Sequence, residues 1–95
     1  MSAGGASSAS GPPSRAEIEQ WLRNVVAELI GIAPEAVDIH ARFSHFGVDS
    51  ATALIVSDML SEWLGIDLEP TLLYEQETID ALARYLASRV SGGGA

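Results

Sequence analysis

The strongest constraint on the fold is a run of apolar residues at helical period. Ile18, Trp21, Leu22, Val25, Val26, Leu29 and Ile30 fall at i, i+3, i+4, i+7, i+8, i+11 and i+12, one continuous stripe. Ser14-Arg15-Ala16-Glu17 ahead of it has the form of a capping box, in which serine and glutamate satisfy each other's orphan groups. Gly31 follows as a C′ residue. The spacing predicts a helix over Arg15–Ile30 that must bury one face. A second helix is expected from Ser50 to Leu64, stopped by Gly65, with Thr52, Ala53, Val56, Met59, Leu60, Trp63 and Leu64 in one inward arc. A third runs from Ile79 to Val90, capped by Thr78, with the stripe Ile79, Leu82, Ala83, Leu86 and Val90. Nothing alternates at period two for long enough to build a sheet. The fold class is all-α: a small antiparallel bundle of three main helices plus one short helix, the latter a single turn over Thr71-Leu72-Leu73-Tyr74 after Pro70.

The connection from Ile32 to Val48 is long for so small a domain. Ala33-Pro34-Glu35-Ala36-Val37 can form one helical turn with Pro34 at its start. Ile32, Val37, Ile39, Phe43 and Phe46 are spaced apolar anchors that would pin the loop to the core. Residues 1–13 are Ser, Ala, Gly and Pro without charge and read as a flexible linker, and residues 91–95 read as a matching tail. The domain is placed at 14–90.

Thirteen acidic residues face five arginines and no lysine, for a net charge of −8. That balance disfavours nucleic acid and anionic membrane as partners and favours proteins that present Arg and Lys. With no cysteine and two histidines, neither a disulfide framework nor a common zinc site can be built. There is no apolar run long enough to span a bilayer and no secretory signal pattern, so a cytoplasmic protein, monomeric as an isolated domain, is expected.

Phe46-Gly47-Val48-Asp49-Ser50 joins the long connection to the second helix. Asp49 suits an N-cap, and Gly47 permits a tight turn before it. Ser50 then lies on the first turn, at the positive end of the helix dipole, where a phosphate is favoured. A hydrolytic triad of His45, Asp49 and Ser50 is rejected, because there is no Gly-x-Ser-x-Gly elbow, no sheet and no sizeable cleft. No catalytic residue and no metal site is assigned, and the carboxylates lack calcium-loop spacing. Trp21 and Trp63 read as core residues, Tyr74 and Tyr85 as rim or core. Leu54, Ile55, Asp58 and Glu62 fall opposite the inward arc of the second helix, an apolar patch rimmed by acid that reads as a protein-docking surface.

These residues resemble the acyl carrier proteins. Phe46-Gly47-Val48-Asp49-Ser50 looks like the family's Gly-x-Asp-Ser signature, and Leu73-Tyr74-Glu75-Gln76-Glu77-Thr78-Ile79 resembles its Leu-Phe-Glu-Tyr-Pro-Thr-Ile stretch. Ala51 departs from the usual leucine, Glu77 from proline and Gln76 from an aromatic. The variant Ala51-Thr52-Ala53, Trp63-Leu64-Gly65 and Pro70-Thr71-Leu72-Leu73 look most like carriers of modular polyketide synthases. The resemblance implies a non-catalytic carrier. Its Ser50 would accept 4′-phosphopantetheine from coenzyme A through a phosphopantetheinyl transferase, and the arm's thiol would hold acyl groups as thioesters. Asp49 would serve capping and transferase recognition. Leu54, Ile55, Asp58 and Glu62 would meet the partners: an acyltransferase or acyl-ligase, a ketosynthase and other synthase domains. A peptidyl or aryl carrier and a fatty-acid-synthesis carrier share this chemistry and differ in cargo. A helical adaptor, whose Ser50 is only a helix start, is the alternative of another class.

Overall fold

The computed structural model describes residues 12–92. The linker expected over 1–13 therefore lies outside the described residues but for Pro12 and Pro13, as does the tail from residue 93 onward. The chain forms α1 (Arg15–Ile30), α2 (Ser50–Leu64), a short α3 (Leu72–Glu75) and α4 (Ile79–Gly92), with 3-10 turns at Pro34–Ala36 and Phe43–Phe46.

The local chemistry accounts for the helix ends. Ser14 Oγ accepts from the Glu17 N–H at 3.1 Å, and Glu17 Oε1 accepts from the Ser14 N–H at 2.7 Å, so the capping box is complete. Thr78 Oγ1 accepts from the Ala81 N–H at 3.1 Å and opens α4. α3 begins one residue later than the motif suggests, with Thr71 outside it as the cap position. α4 runs to Gly92, past the expected end at Val90. A serine and a single glycine do not stop a helix already propagating, since glycine costs only about 1 kcal/mol against alanine.

The core gathers Ile18, Leu22, Val26 and Ala27 of α1, Ala53, Val56 and Leu60 of α2, Leu72 and Leu73 of α3, and Ile79, Leu82, Ala83 and Leu86 of α4. Val37 and Phe43 of the long connection complete it. Four expectations need correction. Met59 and Trp63 are 42% and 40% exposed, while Ser57 is buried in their stead. The inward stripe of α2 is thus Ala53, Val56, Ser57 and Leu60, rotated away from Met59 and Trp63. Trp63 instead stacks on Trp21 at the margin, with ring centroids 5.1 Å apart and planes within 10°, a geometry that joins α1 to α2. Leu29 and Ile30 are exposed because the last turn of α1 runs past the buried layer, and Ile32 just beyond Gly31 is exposed with them.

The long connection is pinned more firmly than its apolar anchors suggest. The Phe43 N–H donates to the Glu77 carbonyl at 2.8 Å, and the Asp80 N–H donates to the Ile39 carbonyl at 3.0 Å. An isolated antiparallel bridge pairs Arg42 with Thr78. Ile39 and Phe46, partly buried, pack on the core beside these bonds. The loop is therefore fastened to the start of α4, and its end is delivered to the start of α2.

Candidate functional site

The site is assembled at the N-terminus of α2. The 3-10 turn Phe43–Phe46 ends at Gly47, whose φ of 79° lies in the left-handed region that disfavours a Cβ. The chain reverses there, and Asp49 becomes the cap, with φ −93° and ψ −174°. Its Oδ1 accepts from the Thr52 N–H at 2.9 Å. That backbone bond first, then the Thr52 side chain, holds the Asp49 carboxyl below the ordinary carboxylate range. Asp49 therefore stays ionised at neutral pH and belongs to the cap.

Ser50 follows as the first helical residue and is exposed. The N–H groups of a first helical turn have no intrahelical acceptor, and the dipole adds a partial positive charge beside the Ser50 hydroxyl. An esterified phosphate on that oxygen would meet favourable field and free donors. The other described serines on these helices offer less. Ser57 is buried, and Ser61 Oγ donates to the Ile66 carbonyl at 2.5 Å.

One neighbour was not legible as part of the site. Tyr74, read from the sequence as rim or core, is 52% exposed, and its hydroxyl donates to Ser50 Oγ at 2.9 Å. The signal available was the tyrosine where the resembling motif has phenylalanine, which adds a hydroxyl without changing the ring. Tyr74 also lines a small open groove of about 160 Å³ with Arg42, Phe43, Val48, Leu73 and Glu77. Glu77, which departs from the motif's proline, pairs there with Arg42 at 3.4 Å, and both side chains are largely exposed. Such a pair adds little stability but marks one polar lip of the groove.

Leu54 and Ile55 are 53% and 58% exposed, so neither packs beneath the long connection. Asp58 and Glu62 are exposed on the same side of α2. His45 is exposed and meets Phe46 edge-on at 5.4 Å, remote from any triad geometry recorded at Ser50. Among the described residues, no group of three or more His, Cys, Asp or Glu is placed to hold a metal, and no helix is long and apolar enough to cross a membrane.

A four-helix fold with a capped, serine-bearing helix start defines a class of small carrier domains. The family model described as the phosphopantetheine attachment site matches residues 20–86. The chain belongs to that family of phosphopantetheine-bearing, non-catalytic carriers. It is 40% identical over 77 residues to the polyketide synthase PksM of Bacillus subtilis, which covers 81% of this chain and 2% of the synthase. Across the polyketide synthases it matches, the chain spans between 1% and 4% of their length. Among solved structures, a free-standing peptidyl carrier protein from Acinetobacter baumannii is 38% identical with a TM-score of 0.77, covering 82% of this chain and 98% of that one. An acyl carrier protein from Anabaena with a variant phosphopantetheinylation-site sequence is 31% identical with a TM-score of 0.78, covering 84% of this chain and 91% of that one.

Proposed function

We propose that the chain is an acyl carrier domain of a polyketide synthase, with residues 14–90 as the domain and Ser50 as the attachment serine. The observation that carries this is the exposed Ser50 hydroxyl on the first turn of a helix capped by Asp49, in a chain of the phosphopantetheine family. When bound, the arm supplies a thiol, absent from a chain without cysteine, on which acyl groups travel as thioesters. The chain's own residues do the rest. Ser50 provides the oxygen, Asp49 holds the helix start open toward it, and α2 lends its dipole to the diester charge.

Leu54, Ile55, Asp58 and Glu62 form the proposed partner face. Their exposure on α2 and the net charge of −8 support docking to synthase domains and to a transferase through Arg and Lys. The similarity to polyketide synthases favours this cargo class over a peptidyl one. Acylation by an acyltransferase, set against loading by an amino-acid-activating domain, separates the two.

The test of the site is intact mass after incubation with coenzyme A and a promiscuous phosphopantetheinyl transferase. The wild-type chain gains one arm, and Ser50→Ala gains none while keeping its helicity. Modification of that variant, or none of the wild type, would sink the assignment, the latter outcome leaving the helical adaptor.

A further inference from the structure

Tyr74 stands half exposed, yet it is not loosely held. Leu72 and Leu73 before it are 2% and 3% exposed and anchor α3 in the core. The turn is closed by the Tyr74 N–H to the Thr71 carbonyl and the Gln76 N–H to the Leu72 carbonyl, both at 2.9 Å. From this base the phenol crosses from α3 to α2 and donates to Ser50 Oγ at 2.9 Å. The bond joins residues far apart in the chain across an exposed surface, at the very oxygen proposed to react.

We propose that Tyr74 is a positioning residue for Ser50: its hydroxyl fixes the serine side chain for loading and then donates to the phosphodiester that loading creates. This rests on Ser50 being the attachment serine. In the loading step Ser50 Oγ bonds to the pantetheine-bearing phosphorus of coenzyme A. The phosphoanhydride P–O bond breaks, adenosine 3′,5′-bisphosphate leaves with the electron pair, and the serine proton passes to a base on the transferase. A serine hydroxyl has one proton and two lone pairs. A phenol donating to one lone pair leaves the other free to attack and the proton free to depart, while it selects one of three staggered rotamers. After transfer the diester offers anionic oxygens, stronger acceptors than the hydroxyl, so the same donor keeps a partner. The side of the helix start from which Tyr74 donates is also the side of the groove it lines, with Phe43, Val48 and Leu73.

The test is Tyr74→Phe, which keeps the ring and carries the residue that the resembling motif has here. Loading kinetics are read by intact mass, the diester by its 31P resonance in the loaded protein, and the fold by thermal unfolding. We expect kcat for loading to fall about threefold to tenfold, the effect of one hydrogen bond and one selected rotamer. KM should stay within about twofold, as removing one phenol oxygen leaves the docking surface intact. The 31P resonance should move and the melting temperature should not. Unchanged kcat with an unmoved resonance overturns the proposal. So does a raised KM with unchanged kcat, which makes Tyr74 a docking contact, and so does slower loading with a lowered melting temperature and an unmoved resonance. If the wild type gains no mass at Ser50, the attachment reading fails and Tyr74 falls with it. If the wild type loads and the variant matches it, the tyrosine alone is wrong.

Discussion

Asp49 acts as an ionised cap, and at the scale of single residues that gives the site a pH dependence. Its carboxyl is held below the ordinary range chiefly by the Thr52 backbone N–H. A depressed folded pKa means that the charged cap's contribution is fully present above the unfolded value and is lost as pH falls through the folded one. Asp49→Ala should therefore melt lower than wild type at neutral pH, and the gap should close on acidification below the ordinary carboxylate range. Thermal melts across that range check it, and a gap that does not change with pH means the charge contributes nothing. Asp49 and Ser50 were readable because capping is local: the side chain and the N–H it serves lie three positions apart. Tyr74 was not, because its partner lies on another element and no spacing rule connects them.

At the scale of elements, α2 shows both what periodicity finds and where it slips. The outward side was found, and Leu54, Ile55, Asp58 and Glu62 are all exposed. The inward side was centred too far toward Met59 and Trp63, because ranking by hydrophobicity pulls the arc toward large apolar residues. The real stripe takes in Ser57, whose neighbours leave no other direction. Since the outward face carries two carboxylates without a printed ion-pair partner in the domain, reversing both charges should cost the fold little and partners much. Asp58→Lys with Glu62→Lys should slow loading by partner enzymes severalfold at low salt without lowering helicity, and the difference should shrink as ionic strength rises. Unchanged loading rates at low salt would place the interface elsewhere.

At the scale of the whole molecule, a domain this small has a narrow stability margin, so one misfit in the core is measurable. Ser57 Oγ is buried and has no hydrogen-bond partner. An unsatisfied buried hydroxyl costs about 1–3 kcal/mol, and alanine is the better helix former. Ser57→Ala should stabilise the domain by about 1 kcal/mol, raising the melting temperature by about 4–8 °C. A lower melting temperature would show that the hydroxyl has found a partner. The sequence by itself determined the helices, their caps and the serine at the start of α2, because helical period, capping and left-handed glycines act over a few residues. Only the tertiary structure decided how far α2 is rolled, which backbone bonds clamp the long connection to the start of α4, and that the Tyr74 hydroxyl meets Ser50. Those depend on which surfaces the packed elements bring within contact distance, and no local pattern encodes that distance.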